Sequence, residues 1–437
     1  MSATLETLLS QRAGRLSTLA EQPGLRTTSE GTRSRRRIER LIGRAAQAAA
    51  GRDASTLVAL EADLNAELRV VLPTATLHRT LAPARRTRSS LLGRRGPDPE
   101  EAISAHRLAL QKTAALLPTS LWVPYSIPTA RPAAVRRVLA RAGFPLADTP
   151  SPLGSLCRRL GFRCVRVFVP PHPSYRGCVE ELLEGLGLGR LPLLSTGGLT
   201  FLPRHEVLRG TGTLPLESCR QRMHATDAWF PERGAGSTLA VLDTGIDLAH
   251  PAFQRARADG RLLYRRVRGM GSDDDRDAQD GHGSHVQGIA GGDPGVDGHR
   301  GLASDARQVA VRVFEPGKGY AYNQDIIEGL SVAVSAGADV INLSLGGPAS
   351  ADSELGFTCG QVVSRGLALV VAAAGNSGQS NRQGGVESPG NAPHVVAVGA
   401  LDSSARVAPF SSRGRPGSTD EQEGKPDVAA FGVGVVA

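Results

Sequence analysis

Aromatic side chains are scarce in this sequence, because Phe, Trp and Tyr account for only 4% of its 437 residues. Long apolar runs are missing too, since the longest one beside a motif, Leu367–Ala374, is too short to cross a bilayer. We therefore expect no membrane partner and predict that this run is a buried strand. The remaining composition, 40% hydrophobic and 21% charged, indicates a folded chain of two or three domains.

The five cysteines form neither a disulfide nor a zinc pattern, because their spacing is irregular and no Cys-x-x-Cys occurs. We expect free thiols in a reducing compartment. The first residues lack the basic segment and the long apolar segment of a secretory signal. A cytoplasmic location is therefore the default expectation.

Positive charge is concentrated in the N-terminal half. Residues 1–225 hold 33 Lys and Arg against 17 Asp and Glu, which leaves the remainder acidic. Helical spacing of apolar residues around Arg-rich segments predicts a basic helical region over 1–118. Alternating strand and helix patterns predict a small α+β module over 119–215, and buried-strand patterns predict an α/β domain over 216–437. The elements predicted before residue 215 include helices at 100–117, 132–142 and 179–186, strands at 121–127 and 164–169, and a strand pair or hairpin at 191–202.

Two interpretations of the basic region stay open. In a nucleic-acid-binding protein, its arginine clusters would neutralise phosphates. Residues 1–118 would then bind DNA or RNA with an affinity that falls steeply as the salt concentration rises. Against it, no aromatic residues are interleaved among the arginines and no RNP or zinc-finger motif is present. We prefer a solvated basic surface, with the N-terminal half packed on its own acidic C-terminal half.

An aspartate follows the first buried strand predicted in the α/β domain. The apolar run 237–242 is typical of a parallel strand covered on both faces, and Asp243-Thr-Gly comes directly after it. Functional groups collect beyond the carboxyl ends of such strands. The tripeptide alone is ambiguous, because aspartic proteases pair two such carboxylates and this sequence has only one.

A histidine segment, His282-Gly-Ser-His285, is the second motif. A general base must reach a hydroxyl on one side and an orienting carboxylate on the other, and Gly283 leaves that approach unobstructed. A metal site on His282 and His285 is the alternative, but no His-Glu-x-x-His occurs. Five aspartates within 273–280 lack EF-hand spacing, so a structural calcium ion there is an open alternative and no cofactor is predicted.

The third motif is Ala373-Ala-Gly-Asn376, at the end of the second apolar run. Gly-Asn alone is an ordinary turn dipeptide. In this order, however, the motifs of Asp243, His282 and Asn376 resemble the subtilisin-like (subtilase, peptidase S8) serine proteases. The resemblance covers about residues 216–437 and includes the later segments Phe410-Ser-Ser and Lys425-Pro-Asp. It implies a three-layer α/β fold with a mostly parallel sheet, in which Asp243 and His282 are catalytic and Asn376 supplies the oxyanion donor.

The resemblance also implies a cleft for peptide or protein substrates. Ser344, Leu345 and Gly346 resemble the subtilase segment that pairs with an extended peptide and lines the pocket for the P1 side chain, the one before the scissile bond. Gly319 and Tyr320 would form the opposite wall. The module 119–215 occupies the place that a pro-domain has in many members of the family.

The fourth motif of the family, Gly-Thr-Ser-Met-Ala, does not occur in these 437 residues. We therefore expect this chain by itself to be inactive. One hypothesis is an incomplete copy of a serine endopeptidase, in which a Gly-Thr-Ser motif would follow codon 437. The other is a catalytically inactive protein that keeps the peptide-binding cleft. Reading the nucleotide sequence beyond that codon would separate the two.

Overall fold

The structure is a computed structural model of the chain. It describes Arg40, residues 99–147, 156–201, 213–267 and 281–436, apart from short gaps at 117–118, 120–121, 157–158, 171–172, 196–198, 229, 294, 296–298, 316–318, 348–352, 379–384 and 415–423. The predicted basic helices before residue 98 and the aspartates at 273–280 lie outside the described residues. Within the described part, no helix combines the length and the apolar character that a membrane crossing requires.

The chain divides into two compact units. The first comprises residues 1–151 and 162–194, and its described part contains three helices and one three-stranded sheet of order β2-β1-β3, in which β1 and β2 are antiparallel. Its elements are α1 (Pro99–Leu116), β1 (Val123–Thr129), α2 (Pro132–Arg141), β2 (Arg163–Val169), α3 (Pro173–Gly185) and β3 (Leu194–Ser195).

The core of the first unit follows from the alternation of side chains along its strands. Val165, Val167 and Val169 of β2 are buried on one face of the sheet, as the period of two requires. Helix α2 begins with a proline, which is favourable at a first helical position, and it buries Val135 and Leu139 against the same cluster. These side chains belong to one continuous apolar core that also includes residues of α1 and α3.

The second unit comprises residues 152–161 and 195–437. Its elements are β4 (Leu199–Phe201), β5 (Leu214–Pro215), α4 (Leu216–Arg222), β6 (Thr238–Asp243), α5 (Pro251–Ala258), β7 (Leu262–Arg266), α6 (His282–Gly291), β8 (Arg307–Arg312), β9 (Tyr320–Tyr322), α7 (Asn323–Ser335), β10 (Val340–Leu343), α8 (Glu354–Ser364), β11 (Leu369–Ala373), β12 (Val396–Leu401), β13 (Val428–Phe431) and β14 (Val435–Val436).

Seven strands of this unit form one parallel sheet of order β13-β12-β11-β10-β6-β8-β7. Helices α5 to α8 pack against it, so the unit is the three-layer α/β fold that the motifs predicted. Because all seven strands are parallel, the carboxyl ends of β6, β10 and β11 lie at one edge of the sheet. Asp243, Ser344 and Asn376 stand at or just after these three ends.

The strand pair or hairpin predicted at 191–202 is found as two short strands, which belong to different sheets rather than pairing with each other. β3 joins the sheet of the first unit, whereas β4 pairs with β9 in the second. The alternation of apolar residues indicated extended chain correctly, but it carries no information on which partner strand provides the hydrogen bonds.

Candidate active site

Asp243 and His282 form a buried, hydrogen-bonded pair. Asp243 is the last residue of β6, and His282 is the first residue of α6. Their side chains are 1% and 7% exposed, and Nδ1 of His282 lies 2.6 Å from Oδ1 of Asp243. A carboxylate can only accept, so Nδ1–H donates and the carboxylate selects the tautomer of the ring. Nε2 is then the nitrogen with the lone pair that a proton acceptor requires.

The turn after Asp243 holds this pair in place. The backbone N–H of Thr244 donates to Oδ1 of Asp243 at 2.8 Å, and the hydroxyl of Thr244 accepts from the N–H of Gly283 at 2.9 Å. One threonine thus binds both the carboxylate and the first turn of α6. The position of the imidazole relative to the carboxylate is therefore fixed by backbone contacts rather than by the two side chains alone.

Gly283 allows α6 to approach this turn closely. A Cβ atom at this position would lie 2.2 Å from the carbonyl oxygen of Gly245 and 2.9 Å from Oγ1 of Thr244. Both distances are too short for any side chain. The glycine after His282 is therefore required by the packing of helix against turn, in addition to the open approach that the motif predicted.

The other residues of the histidine motif make structural contacts. The hydroxyl of Ser284 accepts from the N–H of Asp247 at 2.8 Å, and the amide of Gln287 donates to Gln308 at 2.8 Å. His285 is exposed, and its Nε2 lies 3.2 Å from the carbonyl oxygen of Val435. The rings of His282 and His285 thus contact different partners, Asp243 and the backbone of Val435.

Asn376 lies in the turn after β11, with an exposed side chain. Its backbone N–H donates to Oε1 of Glu387 at 3.4 Å, and the hydroxyl of the next residue, Ser377, donates to the same oxygen at 2.6 Å. Glu387 belongs to none of the sequence motifs, because only the packing of two loops brings it beside Asn376.

The predicted peptide-binding segment follows β10 directly. Leu345 and Gly346 are buried, Ser344 is half-buried, and the Ser344 hydroxyl accepts from the side-chain amide of Asn342 at 3.0 Å. After this segment, Gly347 pairs with Ser388 through two backbone hydrogen bonds of 3.0 Å. The segment is therefore held on one side by a loop that follows β11.

The predicted opposite wall contains an exposed Gly319 and Tyr320, the first residue of β9. Strand β9 pairs antiparallel with the chain's own β4, so that Phe201 faces Tyr320. Beside this pair, the buried hydroxyl of Thr200 donates to Oδ1 of Asn323 at 2.8 Å. This pairing could not be predicted from local patterns, because the two strands are more than a hundred residues apart.

The profile of the subtilase family (peptidase S8) matches residues 234–436, which include Asp243, His282 and Asn376. This part of the chain belongs to the subtilase family. Subtilisin amylosacchariticus of Bacillus subtilis subsp. amylosacchariticus is 37% identical over 186 residues, which are 41% of this chain and 45% of that protein. A cuticle-degrading serine protease of Arthrobotrys oligospora is 35% identical over 208 residues, 47% of this chain and 45% of that protein.

The chain thus spans a little under half the length of these two relatives. Among solved structures, the prenylagaramide maturation protease PagA is similar at 28% identity and a TM-score of 0.35, over 44% of this chain and 63% of that chain. From here on, residues 234–436 are called the subtilase domain.

Proposed function

We propose that the subtilase domain is the Asp, His and Asn part of a serine endopeptidase that hydrolyses peptide bonds. The observation that carries the proposal is the buried 2.6 Å contact between Asp243 and His282. A carboxylate that sets the tautomer of an imidazole is the arrangement a general base needs. The subtilase family consists of proteases, which supports the same reaction class.

In the complete enzyme, Nε2 of His282 would take the proton of a serine hydroxyl as the oxygen attacks a peptide carbonyl. Asp243 would hold the ring and stabilise the imidazolium that forms, without itself taking up a proton. His282 would then give the proton to the leaving amine. The reacting serine is not in a family motif within these 437 residues.

Asn376 would bind the oxyanion of the tetrahedral intermediate through its side-chain amide. Its exposed side chain at the carboxyl edge of the sheet supports this role. In a subtilisin, removal of the corresponding kind of donor lowers kcat about 10²–10³-fold. Ser344, Leu345 and Gly346 would pair with the substrate backbone on one side of the cleft, and Gly319 and Tyr320 would form the other side.

The test is hydrolysis of casein together with labelling by a serine-specific phosphonate. Residues 1–437 should do neither, because loss of the serine costs a subtilisin on the order of 10⁶ in kcat. A longer product of the same reading frame that contains a Gly-Thr-Ser motif should do both. In that product, His282→Ala should lower kcat on the order of 10⁶-fold.

His285→Ala is the matched control, since it removes the other imidazole of the same helix and should leave casein hydrolysis within about threefold of the parent. Full activity of the His282→Ala variant would contradict the proposed role of the base. Hydrolysis by residues 1–437 themselves would show that the nucleophile lies elsewhere in the chain.

A catalytically inactive peptide-binding protein is the second candidate. The backbone pairing of β9 with the extended strand β4 supports peptide binding, which this candidate shares with the first. This candidate predicts that residues 1–437 bind extended peptides and that no reading-frame product hydrolyses casein. Peptide binding is common to both candidates, so hydrolysis by the longer product separates them.

A further inference from the structure

Glu387 is held between the two segments that follow β10 and β11. Its backbone N–H donates to the carbonyl oxygen of Ala374 at 2.9 Å. The next residue, Ser388, exchanges two backbone hydrogen bonds with Gly347. The backbone on both sides of the Glu387 side chain is therefore fixed by the loops that carry Asn376 and the predicted peptide-binding segment.

Two glycines make room for the Glu387 carboxylate. A Cβ at Gly375 would lie 2.5 Å from Cδ of Glu387, and a Cβ at Gly346 would lie 2.9 Å from Oε2. The carboxylate thus lies directly against both segments. The resemblance implies that Ser344, Leu345 and Gly346 line the pocket for the P1 side chain, and Oε2 lies against the last of these three residues.

The two carboxylate oxygens have different surroundings. Oε1 accepts from the hydroxyl of Ser377 at 2.6 Å and from the N–H of Asn376 at 3.4 Å. Oε2 accepts no hydrogen bond from the described residues, and none of the described Lys, Arg and His side chains lies within 4.0 Å of the carboxylate. Glu387 is only partly exposed. A partly accessible carboxylate oxygen with no cation beside it can accept charge-assisted hydrogen bonds from a ligand that supplies one.

We propose that Glu387 determines specificity by selecting a lysine or arginine side chain at P1. This inference rests on the proposed function, because it assigns a side-chain preference to the same cleft. The carboxylate lies between the segment that would pair with the substrate and the asparagine that would bind the oxyanion. A side chain that enters between them reaches Oε2 with its positive end, and a guanidinium adds several donors in a planar fork.

The experiment measures peptide binding to the full chain 1–437 by fluorescence anisotropy. The probes are two labelled tetrapeptide amides that differ only in their last residue, arginine or its uncharged isostere citrulline. Wild type should bind the arginine peptide at least tenfold more tightly, because only this peptide brings a charge to Oε2. Glu387→Gln keeps the shape and an acceptor for Ser377, and it should reduce the preference to about twofold or less.

Glu232→Gln is the matched control. Glu232 is exposed and precedes β6, at the end of that strand opposite Asp243, so the variant removes the same charge far from the carboxyl edge. It should keep the wild-type ratio. Because the ratio is first measured on wild type, the test does not depend on how well Glu387→Gln folds. A carboxylate that merely holds the Asn376 turn would change the affinity for both peptides equally.

The outcomes distinguish this inference from the proposed function. Equal binding of the two peptides by wild type would overturn the P1 preference and leave the endopeptidase proposal standing. Binding of neither peptide by a folded chain would overturn both. A preference for arginine that survives in Glu387→Gln would assign the selection to another residue and overturn the role of Glu387.

Discussion

The two units differ in what they bury around their sheets. The three-stranded unit surrounds its sheet with one continuous apolar cluster that includes Ile127, Leu139 and Leu183. Both units also bury polar side chains: the first buries Thr113 and Ser126, whereas the subtilase domain buries the ionisable pair Asp243 and His282 at the carboxyl edge of its sheet. Burying a polar group costs free energy unless a partner is supplied, and here Nδ1 of His282 and Oδ1 of Asp243 are each other's partners, while the buried Oδ2 of Asp243 has no hydrogen-bond partner among the described residues. An apolar cluster tolerates small shifts of its side chains, whereas a buried ionisable pair is stable only when its two groups stay within hydrogen-bond distance.

The largest effect on stability should come from truncating a buried side chain in the apolar core of the first unit. Leu139→Ala removes a fully buried side chain of α2, and we expect it to lower the free energy of unfolding of this unit by about 2–5 kcal/mol. Hydrogen exchange of β1 and β2 amides would measure the loss, with β6 and β10 as internal reference. Leu108→Ala, at a position that is 48% exposed, should cost about 0.5 kcal/mol or less. Equal costs for the two variants would contradict the assigned core.

A smaller effect is expected where the helix of His282 meets the turn of Asp243. Gly283→Ala would place a methyl group 2.2 Å from the carbonyl oxygen of Gly245, so α6 has to move away. We expect a loss of about 1–3 kcal/mol in chemical denaturation, together with a changed chemical environment of the His282 ring in NMR spectra.

Gly281→Ala is the control for this variant. Gly281 directly precedes His282, the first residue of α6, but it has a φ of 76° and open space where a Cβ would lie, so only backbone strain of about 1 kcal/mol is expected. The His282 ring signals should stay where they are in this variant. A shift as large as that of Gly283→Ala would show that close packing is not what positions the imidazole.

A single hydrogen bond at the base of the same helix should contribute less. Ser284→Ala leaves the N–H of Asp247 without its acceptor, and we expect it to cost about 1 kcal/mol in urea unfolding. Ser284→Thr restores the hydroxyl and should return the stability to that of wild type. If the threonine variant were as unstable as the alanine variant, the lost hydroxyl would not be the cause.

The smallest effect should be a pH dependence in the first unit. Burial lowers the pKa of His106 below its ordinary value of 6.5, although its Nδ1–H donates to the carbonyl oxygen of Ala102 at 2.8 Å. As the pH falls through about 6.5, His106 of the unfolded chain therefore binds a proton, whereas His106 of the folded chain binds it only at a lower pH. Stability should be complete above pH 6.5 and should fall as the pH drops below that value.

Denaturant titrations at pH 7.5 and 5.5 would test this. His106→Gln should lose less stability on acidification than wild type, because it has no imidazole to protonate. His224→Asn, which removes an exposed histidine, should retain the wild-type loss. A wild-type acid sensitivity in His106→Gln would mean that another group is responsible.

Much of the fold could be predicted from local patterns. The strand expected over 237–242 is β6 at Thr238–Asp243, and the strand expected over 367–374 is β11 at Leu369–Ala373. The helix expected over 132–142 is α2 at Pro132–Arg141. Each of these elements carries its own signal within a few residues, because side-chain period and end residues act locally.

The candidate site could be predicted only in part. The order of Asp243, His282 and Asn376 pointed to a family, and parallel strands then require their ends to share an edge. Glu387 could not be predicted, since its contacts with Gly346 and Gly375 depend on how two loops pack. The steric requirement for glycine at position 283 also could not be predicted, because the atoms nearest to it lie in the turn after Asp243.

Local chemistry therefore specified which residues could act: the carboxylate, the imidazole, the amide and the strands that carry them. The tertiary structure decided which groups meet. It paired β4 with β9 rather than with β3, fixed Nδ1 of His282 on Asp243, and left Oε2 of Glu387 beside Gly346 without a donor from the described residues. The physical reason is that propensity and periodicity act over neighbouring residues, whereas hydrogen-bond partners and close contacts come from segments that are far apart in the chain.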